Sequence, residues 1–230
     1  MIRVMSVALA LLLALPQAPP PAAPLSPTAE ATLAAWQAKA TRCKARLATM
    51  PNDAAVSTSL SVRVEAEQCL RRLLGDPAIA ALPADDRQAA GSRMWAEITP
   101  VDAANTAWLK TVLPADGWFR SGRDGADAAH DAWLIIQHSP DQAFQAQVLR
   151  RMEPLAKTGE VRGGDYALLY DRVEMFAGRP QFYGSQYRCE NGRWAPSPIR
   201  DPAGVEARRR TMGLSTMADN LAQIAANGGC

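Results

Sequence analysis

Apolar positions recur at helical spacing along most of the chain. Between residues 29 and 50 they fall at Leu33, Trp36, Ala40, Cys43 and Leu47, and between 59 and 75 at Leu60, Val64, Cys69, Leu70 and Leu73. Steps of three and four residues place such side chains on one stripe of an α-helix. Two amphipathic helices are therefore expected, joined by a turn at Pro51-Asn52-Asp53, the second ending at Gly75-Asp76-Pro77. Helices over 84–98 and 101–113 should follow, divided by Pro100 with Thr99 as the cap, and Trp95 and Trp108 are assigned to the core.

The next segments are more sharply punctuated. After Gly117-Trp118, residues 126–138 carry Trp133-Leu134-Ile135-Ile136, apolar on every side, as a centrally buried helix is. Ser139 reads as an N-cap with Pro140 at the first helical position, Asp141 in the first turn and Gly159 beyond the end. Residues 165–177 form another helix, its core stripe marked by Tyr166, Leu169, Tyr170 and Val173, stopping at Gly178-Arg179-Pro180. The period then changes from helical to alternating. Residues 181–188, followed by Asn191-Gly192 and Arg193-Trp194, predict a β-hairpin with a tight turn. Asp201-Pro202 opens a helix closed by Gly213, and Ser215 caps a last one ending at Asn227-Gly228. The expected fold is mainly α, a helical bundle with a small C-terminal β-hairpin.

The N-terminus has a different character. Arg3 precedes an apolar run from Val4 to Leu15, and a Pro/Ala-rich stretch begins at Pro16. A basic end, a short apolar run and small residues predict a secretory signal over 1–23, followed by a Pro/Ala linker over 24–28. A stable transmembrane helix needs roughly 20 apolar residues, more than this run offers. The remainder, 29–230, is read as one helical domain: N-terminal helices over 29–98 and a second region over 99–230. Export implies a periplasmic or extracellular location, where disulfides persist. With helix one ending near Met50 and helix two beginning near Ser59 to Ser61, Cys43 and Cys69 lie at similar distances from the helix ends that flank the turn, as an antiparallel hairpin requires for pairing. Cys189 and Cys230 are then either bonded to each other or free, and Cys230 offers a route to a cross-linked dimer.

Composition removes several function classes. Lys+Arg 25 against Asp+Glu 23 leaves no electrostatic footprint for nucleic acid. His130 and His138 are eight residues apart on one helix, too far to share a metal ion, and no C-x-x-C pair supports one. No metal or other cofactor is expected. No nucleophile elbow, phosphate loop or dinucleotide fingerprint occurs, and Gly163-Gly164 reads as a turn. His138, at a helix C-terminus, is a candidate general acid/base or a cap of the final carbonyls. Asp171 and Arg172 are consecutive, so they point in different directions and flank the apolar rows. On a strand, Gln181, Tyr183, Ser185 and Tyr187 would share one face and Gln186 the other, which makes a polar wall for a ligand or a cover for the core. Gly184 in mid-strand marks a bulge or a close approach. Arg208-Arg209-Arg210 on a helix is a solvated face or a grip for an anion.

These residues resemble an uncharacterised bacterial family, domain of unknown function 6624, over about residues 100–214. The resemblance rests on Gly117-Trp118, Ala132-Trp133-Leu134-Ile135, Gln137-His138, Phe144, Gly159-Glu160-Val161, Tyr166-Ala167 and Asp171-Arg172-Val173. It continues through Gly178-Arg179-Pro180-Gln181, Tyr183-Gly184, Gln186, Pro198-Ile199, Asp201, Arg208-Arg209 and Gly213-Leu214. Departures are Phe119, Ser185 and Arg200. The resemblance brings no reaction with it, but it concentrates attention on His138, Asp171, Arg172, Gln181, Tyr183 and Gln186, and sets His130 aside.

The leading expectation is an exported cell-envelope module that binds a small molecule or envelope component through a polar pocket, with Gln181, Tyr183, Gln186 and Arg208 as binding residues. The alternatives are a hydrolase-like enzyme using His138 with Asp171 and Arg172, and a structural protein cross-linked through Cys230. The enzyme reading requires His138 and Asp171 to meet in an open cleft.

Overall fold

A computed structural model describes residues 24–226; the expected signal over 1–23, the helix end at 227–228 and Cys230 lie outside the described residues. The chain is mainly helical. Helices α1 (Pro27–Ala48), α2 (Val56–Arg72), α3 (Pro77–Ala80), α4 (Ala84–Val112), α5 (Ser121–Asp124), α6 (Ala126–Gln137), α7 (Gln142–Lys157) and α8 (Gly163–Phe176) precede the antiparallel strands β1 (Tyr187–Glu190) and β2 (Arg193–Pro196). Two helices, α9 (Val205–Thr211) and α10 (Met217–Ala226), follow.

α1 and α2 form the expected antiparallel pair. Ser26 caps α1, its side chain accepting from the Ala29 N–H, and a disulfide joins Cys43 to Cys69. Cys189 is also disulfide-bonded.

The buried apolar residues fall into two clusters. One gathers Leu33, Trp36 and Ala40 of α1, Leu70 of α2, Ile79 of α3, and Met94 and Ile98 of α4. The other gathers Leu60 and Val64 of α2, Leu109 of α4, Trp133, Ile135 and Ile136 of α6, Val148 and Met152 of α7, and Leu169 of α8. Helices α2 and α4 therefore belong to both clusters, and between the two apolar stretches they bury polar side chains, Glu67 on α2 and Asp102, Asn105 and Thr106 on α4. That seam carries the site described below. The fully apolar run of α6 lies at the centre, as its pattern predicts.

Several boundaries differ from the sequence expectation. The two helices expected around Pro100 are one helix, α4, running through the proline. Pro100 lacks the N–H that would bond the Ala96 carbonyl, at a cost of about 3 kcal/mol. Burial of Met94 and Ile98 before the proline and Leu109 after it offsets that cost and keeps the helix continuous. Thr99 caps nothing; its hydroxyl donates to the Trp95 carbonyl at 2.9 Å. Trp95 is 49% exposed and not in the core, while Trp108 packs half-buried against the second cluster.

At α7 the cap is Asp141, not Ser139. Its carboxylate accepts from the Phe144 N–H at 2.9 Å, and the Ser139 hydroxyl accepts from Asp141 N–H at 3.1 Å, which places Pro140 before the helix. The last helix is likewise capped by Thr216, whose hydroxyl accepts from Asp219 N–H at 3.1 Å.

The hairpin has the expected Asn191-Gly192 turn, with both residues at positive φ, and pairs Tyr187 with Pro196 through Glu190 with Arg193. Residues 181–186 are not strand, so the alternation of faces assumed there does not hold. They form a loop fixed by side chains, touching the chain ahead through a bridge between Gln181 and Ile199. Gly184 has φ +66°, and a Cβ there would stand 2.4 Å from Met217 Sδ; the glycine marks a close approach rather than a bulge.

Candidate functional site

On α2, Arg63, Glu67 and Arg71 are spaced by four residues, which puts them on one helix face. On α4, Asp102 and Asn105 face them from between the two apolar clusters. Glu67 is fully buried, Asp102 is 7% exposed and Asn105 1% exposed. Asn105 Nδ2 donates to Glu67 Oε2 at 3.3 Å, and its Oδ1 accepts from Arg63 at 3.1 Å. Arg71 donates to Asp102 Oδ2 at 2.8 Å, and the Arg63 guanidinium covers the Trp108 ring at 4.3 Å.

Two predicted residues complete this charged seam. His138 ends α6, and its Nδ1 is 3.0 Å from Glu67 Oε1. Engagement of Nδ1 fixes the ring and leaves Nε2 without a protein partner among the described residues. Arg172, on α8, lies near enough to Arg71 for the like charges to repel. Burial first, and Arg71 second, hold its pKa below the ordinary guanidinium value. Its guanidinium makes no hydrogen bond or ion pair among the described residues, and Nε is sealed from solvent.

Electrostatics follow from the burial. The Asp102 carboxyl is pushed up, chiefly by burial and also by Glu67, against the opposing hydrogen bond from Arg71. Asp131, further back on α6, is pushed up for the same first reason. Asp102 Oδ1 and Arg63 Nε are buried without partners, and buried polar atoms are normally paired. The seam is therefore a set of fixed donors and acceptors with unused capacity. Arg71 carries it to the surface, since it also lines a cleft of about 650 Å³ walled by Ile79, Met94, Trp95 and Trp194.

The other predicted residues go elsewhere. Asp171 is fully buried and accepts backbone N–H groups from Phe182 at 2.7 Å, Tyr183 at 2.9 Å and Ser185 at 2.9 Å. It anchors the 181–186 loop, and the carboxylate that meets His138 is Glu67 instead. Gln181, also fully buried, donates to the Ser197 carbonyl at 2.7 Å and the Gln186 carbonyl at 3.0 Å, and accepts from Gln186 N–H. The Gln186 side chain donates to Ser185 Oγ.

Arg208 donates to the Phe182 carbonyl at 2.9 Å and to Asp201, with its guanidinium over the Phe182 ring. Arg209, 2% exposed, holds the carbonyls of Tyr183 and Ser215. Arg200, the departure noted in the sequence, stacks on Phe182 from its own side. These side chains clamp the loop, so the polar wall expected from a strand does not form. His130, set aside on the resemblance, pairs with Asp165 at 2.8 Å and stacks on Trp133, tying α6 to the start of α8.

The ordered agreement from Gly117-Trp118 to Gly213-Leu214 is matched by a family profile over residues 56–228, described as a family of unknown function (DUF6624). The chain belongs to that family. The DUF6624 match begins at the start of α2 and so takes in Arg63, Glu67 and Arg71. No curated protein and no solved structure matches the chain. Among the described residues, no helix is long and apolar enough to cross a membrane.

Sequence reasoning missed Glu67, Asp102 and Asn105. The signal was present as charges at four-residue spacing in α2, but such spacing ordinarily marks a solvated face. Only the apolar residues on both sides of it, shared between two clusters, show that this face is inside.

Proposed function

We propose that this DUF6624 member is an exported ligand-binding module that takes an oxyanion, a carboxylate or phosphate group, at the charged seam. The supporting observation is Arg172. An unpaired, largely buried guanidinium costs several kcal/mol unless an anion meets it, and Arg71 beside it raises that cost. Arg71 has Asp102 and Arg63 has Asn105 as partners, so Arg172 is the seam guanidinium left to meet an anion. Planar guanidiniums suit carboxylate and phosphate oxygens through paired N–H donors. The disulfides are in keeping with export; the mass of the mature chain recovered from the cell envelope tests removal of residues 1–23.

Thermal unfolding in the presence of succinate and of inorganic phosphate tests the binding reading, with Arg172→Met beside the wild type. The wild type should gain stability with anion concentration, as a ligand of the native state requires. Arg172→Met should lose that gain yet be no less stable than the wild type without anion. An absent anion response in the wild type, or a variant that is simply less stable, contradicts the proposal.

A second reading is favoured by the His138–Glu67 pair. A histidine oriented through Nδ1 by a buried carboxylate presents Nε2 as a general base. In this hydrolase-like reading Glu67 takes the orienting role expected of Asp171. Ester hydrolysis that survives in His138→Ala would rule it out.

A further inference from the structure

The cleft between α7, α8 and α9 has the makings of a second site, separate from the charged seam and sharing no residue with it. It encloses about 690 Å³, within the range of small-molecule sites. Tyr166 and Tyr183 line it, 8% and 5% exposed, and neither hydroxyl has a hydrogen-bond partner among the described residues. Neither hydroxyl is among the polar atoms sealed from solvent without a partner, so the rings are buried while the hydroxyls open on the cleft. Both are donors at neutral pH. Burial pushes Tyr183 up to about 12 and Tyr166 higher still, with Tyr183 and Glu153 adding to the effect on Tyr166.

The same cleft receives the start of α8. Gly163 lines it, and no side chain caps that helix end; Asp165, in the first turn, is turned to His130. The free N–H groups of a first helical turn attract anions. A Cβ on Gly163 would stand 3.0 Å from the Met212 carbonyl oxygen, so the bare backbone lets the end of α9 come up against this helix start. Lys157 and Arg162 also line the wall, each paired with a carboxylate, Lys157 with Glu153 at 2.9 Å and Arg162 with Asp127 at 3.5 Å. Ala156, Val161 and Met212 supply an apolar side.

We infer that this cleft binds a small amphipathic oxyanion, its phosphate or carboxylate at the start of α8, accepting from Tyr166 and Tyr183, and its apolar body against Ala156, Val161 and Met212. Titration of the full chain with phenyl phosphate, followed by NMR of backbone amides and methionine methyls, tests the site. Saturable shifts should centre on Gly163, Gly164 and Met212. Tyr166→Phe and Tyr183→Phe keep both rings and should each weaken binding roughly three- to tenfold. Inorganic phosphate should bind more weakly than phenyl phosphate, and Arg172→Met should leave the titration unchanged, which separates this site from the seam. Saturable shifts missing from these three residues, or equal affinity in the wild type and both phenylalanine variants, overturns the inference.

Discussion

His138 Nδ1 lies 3.0 Å from Glu67 Oε1, across 71 residues of sequence. The contact ties the end of α6 to the middle of α2, at the level where the two apolar clusters meet. Removing one member of a buried ion pair or strong hydrogen bond leaves the other desolvated, at a cost of about 3–5 kcal/mol for a charged pair. Glu67→Ala should therefore lower the unfolding free energy in urea by about 3 kcal/mol. The double variant with His138→Ala should lose clearly less than the two single losses combined. Strict additivity would show that the two side chains do not act as a pair.

Asp171 gives the contrasting case. Its carboxylate holds three backbone N–H groups of one loop, and hydrogen bonds to a charged group contribute about 1.5–3 kcal/mol each. Asp171→Asn keeps the size but removes the charge and turns an acceptor into a donor. A loss of about 2–4 kcal/mol is expected, with faster amide exchange at Phe182, Tyr183 and Ser185. If ligand binding at the seam falls while stability and exchange stay the same, Asp171 has a role beyond anchoring.

How much of this was legible in the sequence varies with the physics behind each feature. Local signals were readable: the stripe of α1, the all-apolar α6 and the Asn191-Gly192 turn each follow from spacing or backbone conformation within a few residues. The disulfide was readable because two helices of known length fix which cysteines face each other. Pro100 was misread because its local cost is real and is outweighed only by burial on both sides of it. Gln181 to Gln186 alternated like a strand, yet Asp171 and Arg209 supply the hydrogen bonds that a neighbouring strand would have supplied. Glu67 was hidden for a related reason, since whether a charged helix face meets water or another helix is decided by distant chain.

The carboxylates predict opposite responses to acid. The Asp76 carboxyl sits below its ordinary range, first through the hydrogen bond from Lys39 at 2.5 Å and also through the Ala78 N–H. A depressed folded-state pKa contributes stability above the unfolded value, near 4, and that contribution is lost as pH falls through the folded value. Asp102 is raised, so its charged form weakens the fold above the folded pKa, and protonation relieves that penalty as pH falls. Urea titrations between neutral pH and pH 3 should then show a shallower acid loss in Asp76→Asn than in the wild type. Asp102→Asn should show a steeper one. Parallel curves for all three proteins would mean that neither carboxyl is shifted by folding.

The Cys43–Cys69 bond joins α1, which precedes the family match, to α2 inside it. A cross-link of sequence separation 26 removes unfolded-state freedom equivalent to about 3 kcal/mol. Native packing also holds α1: Leu33, Trp36 and Ala40 are buried against α2 and α4, and the Trp36 indole donates to the Leu73 carbonyl at 2.9 Å. Loss of the bond should therefore lower stability without releasing α1. Cys43→Ser/Cys69→Ser should unfold at lower urea by an amount matching about 3 kcal/mol, while the native protein keeps Trp36 protected from a fluorescence quencher. Exposure of Trp36 before global unfolding would show instead that the bond, rather than the apolar cluster, keeps α1 in place.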